Sequence, residues 1–266
     1  MTRLVRASNP GPMTLEGTNT WLVGLSRVLV VDPGPADGAH LDAVLAEVRR
    51  DGGRLGGVLL THRHPDHADA LAHPVLRAAL AAAQAPVLAI DPSLGVPPEI
   101  SLLRTASDEP AVPIPVPGHT DDSLALLLPR RDEILTGDTV LGRGTSVVAH
   151  PEGDLTQYLG SLERLLVLDD RGAGPWRGLP GHGPVLEDLM ASVRGLRAHR
   201  LARVEQVRAA LAGRVGEDDR GGDPADDTLV AAVVAAVYPD VSDPVLVGAA
   251  SRTVRATMVH LVRAGV

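Results

Sequence analysis

His62, His64, Asp66 and His67, four side chains able to bind a metal, fall within a six-residue stretch that follows the apolar run Val58-Leu59-Leu60 and Thr61. The run has strand character. In extended backbone, His62 and His64 stand two apart and leave the chain on the same side. Asp66 and His67 then open a turn or a helix and point elsewhere. Packing does not call for imidazoles and a carboxylate crowded at a strand end. Divalent metals such as zinc do, because nitrogen and oxygen donors of these types suit them. The alternative is a polar loop whose histidines are incidental.

The spacing His-x-His-x-Asp-His after a strand resembles that of the metallo-β-lactamase superfamily. The resemblance implies an α/β fold, the αβ/βα sandwich, with a mono- or dinuclear metal site at one edge. It also implies three later ligands: a His, a metal-bridging Asp and a last His. His119 in Pro117-Gly118-His119-Thr120, Asp138 in Leu135-Thr136-Gly137-Asp138-Thr139 and His182 in Pro180-Gly181-His182-Gly183-Pro184 match them in order. Each stands in a Gly-containing turn where a metal can approach the backbone. The stretches Asn9 to Thr20, Asp32-Pro33-Gly34-Pro35 and Gly137 to Gly142 are similar to the beta-lactamase-like protein 2 branch. That branch has ribonuclease-type members and thioesterase-type relatives. It also carries a small C-terminal helical, winged-helix-like domain. The organisation implied is a catalytic domain over residues 1–186 and a C-terminal winged-helix-like subdomain over residues 187–266.

By this resemblance His62, His64 and His119 hold a first metal, Asp66, His67 and His182 hold a second, and Asp138 bridges both. Seven donors exceed the need of one tetrahedral zinc and fit two metals with open positions for water and substrate. The expectation is two Zn2+ per chain, with other divalent metals suited to the same donors. A metal-bridging hydroxide would be the nucleophile, and a metal would polarise the scissile carbonyl or phosphoryl oxygen. Asp66 and Asp138 are then catalytic as well as ligands. Asp66 can orient the hydroxide and later help protonate a leaving group.

Other residues carry two readings each. Asp32 is either a turn residue of Asp-Pro-Gly or, by the resemblance, a buried support for the ligands. Asp69, in Ala68-Asp69-Ala70, stands where the superfamily usually has Gly-Gly. It is either a partner for a ligand imidazole or a solvated helix residue. Arg143 follows Asp138 closely and is a candidate for holding an anionic group near the metals. His199-Arg200 matches a His-Arg pair of the related branch; it faces the active-site groove and contacts an anionic substrate, or lies on a solvated helix face. His40, His73, His150 and His260 lack any ligand context and read as surface or capping residues.

The elements that must position these side chains are partly visible. Trp21 to Gly24 and Arg27 to Val31 read as paired strands across a tight turn. His40 to Arg50 has helical periodicity, with Leu41, Val44, Leu45 and Val48 on one face. Pro74 starts a helical piece, and Val87 to Ile90 is a strand. Leu124 to Leu128 and Glu133 to Leu135 form a hairpin. Leu155 to Leu168 is an amphipathic helix. Met190 to Ala212 is a long helix with Val193, Leu196, Val204, Val207 and Leu211 as its packing face. Gly213 to Asp227 reads as a loop, and Thr228 to Val237 and Val245 to Ala264 as helices. The C-terminal segment is expected to pack on the catalytic domain and form one wall of the cleft, the chain's end at Val266 leaving no room for a long β-wing.

Hydrophobic residues make up 44% of the chain, which excludes a disordered protein. There is no Phe and no Cys, so the core is Leu, Val and Ala, and every metal bond comes from nitrogen or oxygen. All 25 basic residues are Arg, which follows from coding bias. The net charge of −8 disfavours broad nucleic-acid binding. From Ala191 onward Arg and acidic residues nearly balance, unlike a DNA-binding module. Arg194, Arg197, Arg200 and Arg203, spaced by three, could still track a phosphate backbone. The N-terminus lacks the apolar region of a signal peptide, so a cytoplasmic location is expected; no apolar run approaches a membrane span.

Three functions compete. The first is a metal-dependent hydrolase of a small-molecule acyl ester or thioester, favoured by the acidic balance and the lack of a basic platform. The second is a metal-dependent single-stranded endoribonuclease, favoured by the Arg row and Arg143. The third is a noncatalytic binding protein on a hydrolase scaffold, disfavoured because all seven ligands are present. A β-lactamase is disfavoured by the missing secretory signal.

Overall fold

Runs such as Leu22-Val23 and Val28 to Val31 are apolar at every position, so the strands they form must be covered on both faces. The computed structural model of the chain, which describes residues 1–169, 174–212, 214 and 223–265, places them in the interior of a five-stranded sheet. Its strands are β1 (Thr2–Arg6), β2 (Asn19–Val23), β3 (Arg27–Val31), β4 (Arg54–Leu59) and β5 (Val87–Leu88), hydrogen-bonded in that order. β1 to β3 are antiparallel neighbours, whereas β3, β4 and β5 run parallel. A second sheet comprises β6 (Val112–Pro115), β7 (Leu124–Leu128), β8 (Glu133–Gly137) and β9 (Arg177–Pro180), with β8 and β9 parallel.

Side-chain alternation separates two cores. Trp21, Val23, Leu29, Val31 and Leu59 point to one face of the first sheet and pack with Leu124, Leu126, Leu128, Leu135 and Leu179 of the second. Leu22, Val28, Val30 and Val58 point to the other face, against Leu41, Val44 and Val48 of α1 (Gly38–Arg49) and Leu76, in the helix that starts at Pro74. This is the expected α/β sandwich, built from Leu, Val and Ala. Between the two helices, α2 (Pro65–Ala68) is a single turn; α3 is Pro74–Ala83 and α4 Ile100–Ala106.

The chain divides into two compact units. The first is Met1–Val116, Asp122–Gly144 and Arg171–Leu189, and contains both sheets. The second is Pro117–Asp121, Thr145–Asp170 and Met190–Val266. Its helices are α5 (Leu155–Leu166), α6 (Leu189–Leu211, from Met190 on), α7 (Asp227–Val237) and α8 (Pro244–Ala264). Tyr158, Leu162 and Leu165 of α5 are buried there, as are Val193, Leu196, Val204, Val207 and Leu211, the face expected of α6. Among the described residues after Leu189 the regular elements are helices only. Most of the loop expected over Gly213 to Asp227 lies outside the described residues. Among those described, no helix is long and apolar enough to cross a membrane.

Candidate metal centre

Parallel strands bring their C-terminal ends to one edge, and loops leaving those ends converge there. Asp32 follows β3, the His62 to His67 segment follows β4, Asp138 follows β8 and His182 follows β9. β2 begins at the same edge, because Trp21 pairs with Val31 at the end of β3. In this way five stretches far apart in sequence meet within the first unit.

After β4 the chain stays extended as far as His64, and the side chains alternate as the spacing requires. His62 and His64 share a side, with His62 Nε2 and His64 Nδ1 2.9 Å apart. Arg63, between them, turns away to Asp122 (3.2 Å) and Asp91 (3.7 Å). α2 then starts at Pro65, which offers no N–H and already has a helical φ. Its single turn presents Asp66 and His67 in directions different from the first pair.

The second group is tighter. His67 Nε2 and His182 Nε2 are 3.3 Å apart. Asp66 Oδ2 lies 3.1 Å from His182 Nε2 and 3.5 Å from His67 Nε2. Asp138 Oδ1 is 3.5 Å from His67 Nε2, and its Oδ2 is 3.4 Å from His182 Nε2. Gly181 makes room for this cluster: a Cβ there would stand 2.4 Å from Asp138 Oδ1 and 2.8 Å from the His67 ring. Any larger residue would push into the space where the donors meet.

The opposite ring nitrogens are held by the fold, and this assigns the tautomers. His67 Nδ1 donates to Asp32 Oδ2 at 2.9 Å. Asp32 also accepts from the Thr61 N–H and the Thr61 hydroxyl, each at 2.7 Å. With its proton given to Asp32, the Thr61 hydroxyl accepts from His62 Nδ1 at 3.1 Å. The backbone carbonyl of Gly17 faces His182 Nδ1 at 3.4 Å. His62, His67 and His182 therefore turn lone-pair Nε2 atoms inward. Several lone pairs and two carboxylates crowded at these distances repel one another unless protons or a cation lie among them. Two groups within the first unit have the spacing to hold a metal ion: His62, His67 and Asp138; and Asp66, His67 and His182.

The electrostatics point the same way. Burial disfavours the imidazolium of His67, but the carboxylates of Asp138 and Asp32 override it and raise its pKa well above the ordinary value. Burial likewise opposes the charge on His182, yet Asp138 and Asp66 lift it to about 9. Asp66 falls to about 2 in spite of burial, chiefly through its hydrogen bond with His182. Asp138 is held well below the usual carboxylate range by His67 and His182. The cluster attracts positive charge, and a divalent cation meets that demand with better geometry than protons. On donor chemistry and spacing the residues fit a divalent metal.

His119 stands in the second unit. Its turn is fixed by Gly118, whose φ is +136° and whose added Cβ would meet the Tyr158 backbone at 2.3 Å. His119 Nδ1 donates to the Val147 carbonyl at 2.7 Å, with the Ser146 hydroxyl at 3.1 Å. Here too the fold engages Nδ1 and leaves Nε2 as the lone-pair nitrogen.

The residues with two readings now separate. Asp32 is buried, with φ +54°, and its carboxylate accepts from Thr61 and His67, so it is more than a turn residue. Asp69 is exposed, and its side chain has no hydrogen bond among the described residues, which matches its solvated reading. Arg143 is exposed and ion-paired with Glu16. The His199-Arg200 pair splits, with His199 exposed and Arg200 buried. His73 caps α3, as expected, but His40 is no surface residue: it is buried, with Nε2 2.9 Å from the Thr20 hydroxyl. Burial lowers its pKa.

Three residues that hold the candidate donors were not singled out by their chemistry in the sequence. The Thr18 hydroxyl donates to Asp66 Oδ2 at 3.2 Å. Asn19 Nδ2 donates to the carbonyls of Pro180 (3.0 Å) and Gly183 (2.9 Å), clamping the His182 turn from both sides. Thr61 links Asp32 to His62. The available signal was position: Thr18 precedes and Asn19 opens β2 in a Gly-Thr-Asn-Thr run, and Thr61 adjoins the first candidate ligand.

The family model of the metallo-beta-lactamase superfamily matches residues 13–75. The lactamase-like protein vrtG of Penicillium aethiopicum is 35% identical over 80% of this chain and 66% of its own length. The lactamase-like protein adaB of Aspergillus niger is matched over 62% of its length, so the chain spans less than two thirds of these relatives. An atrochrysone carboxyl ACP thioesterase of Aspergillus fumigatus is 34% identical over 91% of this chain and 76% of its own length. The beta-lactamase-like protein 2 homolog of Drosophila melanogaster is 31% identical over 79% of this chain and 73% of that protein. In fold, the chain is similar to a beta-lactamase domain protein from Burkholderia ambifaria, with TM-score 0.70, 23% identity, and coverage of 99% of this chain and 86% of the other.

Proposed function

The chain belongs to the metallo-beta-lactamase superfamily, and from that premise we propose that it is a dinuclear metal-dependent hydrolase of a small-molecule acyl ester or thioester. We assign His62, His64 and His119 to a first metal, Asp66, His67 and His182 to a second, and Asp138 to both. Zinc suits these nitrogen and oxygen donors best. Two such cations supply activation of water at neutral pH and polarisation of the scissile carbonyl. Everything else falls to the chain's own side chains. Asp32, Thr61 and Gly17 hold the imidazoles in orientation through Nδ1, so that Nε2 faces inward. Thr18 holds Asp66 Oδ2, which takes the proton of the attacking water and returns it to the leaving alkoxide or thiolate. Gly181 keeps the space in front of Asp138 open.

For the substrate class, the state of the arginines on α6 carries the reading. A surface that tracks RNA needs guanidinium groups turned to solvent. Here Arg194 pairs with Asp169, and Arg197 with Glu163. Arg200 is buried, and Arg203 donates to the Val237 carbonyl at 2.7 Å while lying over the Tyr238 ring. Arg143 is paired with Glu16. Of the row that suggested phosphate binding, Arg200 and Arg203 are taken up by contacts within the fold, and the charges of the exposed Arg194 and Arg197 are offset by neighbouring carboxylates. The named thioesterase of A. fumigatus supports an acyl thioester in particular.

Side-by-side assays decide between the substrates. Purified metal-loaded protein should hydrolyse short acyl thioesters and esters faster than it cleaves single-stranded RNA, and chelation should stop it. Efficient metal-dependent RNA cleavage with no acyl turnover would reverse the assignment.

A further inference from the structure

We propose that Arg200 is a positioning residue that aims the His119 imidazole by holding the Ser146–Val147 segment; this rests on the reading of His119 as a metal ligand. Arg200 is only 4% exposed, although it sits on a helix whose other arginines reach the surface. A guanidinium cannot shed its charge to escape burial. A buried cation without a counter-charge is costly, and a hydrocarbon of similar volume is ordinarily the better filling. Among the described residues no carboxylate pairs with Arg200, and its buried Nε has no hydrogen-bond partner. Packing alone therefore does not account for the residue.

Its two contacts do. Arg200 Nη2 donates to the Ser146 carbonyl, and the guanidinium lies over the Tyr158 ring, 5.3 Å from its centroid. Each contact leads to His119 by a different route. Ser146 and Val147 supply the two oxygens around His119 Nδ1, the hydroxyl at 3.1 Å and the carbonyl at 2.7 Å. Tyr158 is the residue whose backbone Gly118 meets so closely that a Cβ would stand 2.3 Å away. Arg200 thus fixes both the segment that sets the ring's rotation and the helix residue on which the ring's own turn rests. Among the described residues it has no hydrogen bond or ion pair with a metal-ligand candidate itself. His199 beside it is exposed and has no part in the circuit.

The test is metal affinity, measured with Co2+ by its visible absorption and by competition with a chelator, on the full-length chain. Wild type should take up two ions. His119→Ala should lose one of them. Arg200→Met should weaken that same ion by about 10- to 100-fold, the usual cost of losing a residue that orients a ligand, and leave the other unchanged. The double variant should be no worse than His119→Ala, because both substitutions then act on one site. Arg200→Lys, which can still donate to the Ser146 carbonyl, should recover part of the loss. Circular dichroism of the metal-free variants checks the fold. Should Arg200→Met not fold, Ser146→Ala, which removes one of the two oxygens at Nδ1, should show the same selective weakening in milder form. Wild-type affinity for both ions in Arg200→Met, or in Ser146→Ala where that serves instead, overturns the proposal, as does equal weakening of both. His119→Ala binding two ions overturns the assignment of His119, and the proposal with it; only the former results leave that assignment standing.

Discussion

His67 and His119 do the same work in the proposed centre but are held in opposite ways. His67 Nδ1 meets the carboxylate of Asp32, which is itself braced by two hydrogen bonds from Thr61. His119 Nδ1 meets a neutral carbonyl and a hydroxyl, with a cation, Arg200, behind them. A carboxylate makes an imidazole a stronger base and a stronger ligand; a carbonyl orients it without adding charge. The comparison implies that the two proposed sites are unequal: a tight one around His67 and His182 with Asp66, and a looser one whose other donors are neutral imidazoles, with Asp138 assigned to both.

The largest effect expected is from Asp138→Ala. Hydrolysis should be abolished while the fold remains, because this carboxylate stands between His67 and His182 and supports no core packing. Wild-type turnover in a well-folded variant would refute the assignment. Next, Asp32→Asn keeps the shape but removes the charge behind His67. The tighter metal should lose about 10- to 100-fold in affinity, as read by chelator competition, bringing the two sites closer together. An unchanged gap between them would break the comparison.

pH gives an independent reading in chelated protein. The folded pKa of His182, about 9, stands above its ordinary 6.5, so this group adds stability that is complete below pH 6.5 and fades as pH rises through 9. His67 shifts in the same direction. Asp66, at about 2 against 3.8, adds stability above 3.8 that fades as pH falls through 2. The melting temperature of metal-free protein should therefore drop between pH 6.5 and 9, and metal-loaded protein should not share that drop. Adding Zn2+ at pH 8 should release protons. A flat alkaline profile with no proton release would contradict the crowded-donor account. The smallest effects belong to Asp69→Ala and His199→Ala. Both side chains are exposed, and turnover and metal content should stay at wild-type levels, with stability changes of about 0.5 kcal/mol or less.

How much of this was legible follows the kind of signal each residue carries. His62, His64, Asp66 and His67 could be read directly as candidates, because their types and spacing at one strand end already suggest a ligand set. Strands such as Arg27–Val31 were legible from their apolar runs beside a tight turn, and the packing face of α6 from its periodicity. Asp32 stayed ambiguous, since Asp-Pro-Gly is turn chemistry whether or not the carboxylate is turned inward. Thr18, Asn19 and Thr61 were invisible as functional residues, because hydroxyl and amide groups acquire a role only through partners distant in sequence; Asn19 reaches Pro180 and Gly183. Arg200 looked like one member of a periodic row. Only burial separates it from Arg194 and Arg197, and burial is a property of the packed fold.

The central claim, a two-metal hydrolase, is tested most directly by titrating chelated protein with Zn2+ while following thioester hydrolysis and bound metal together. Turnover should be absent without metal, rise as the metal loads, and level off at two ions per chain. Full turnover in protein that holds no metal and takes up none on adding zinc would contradict it.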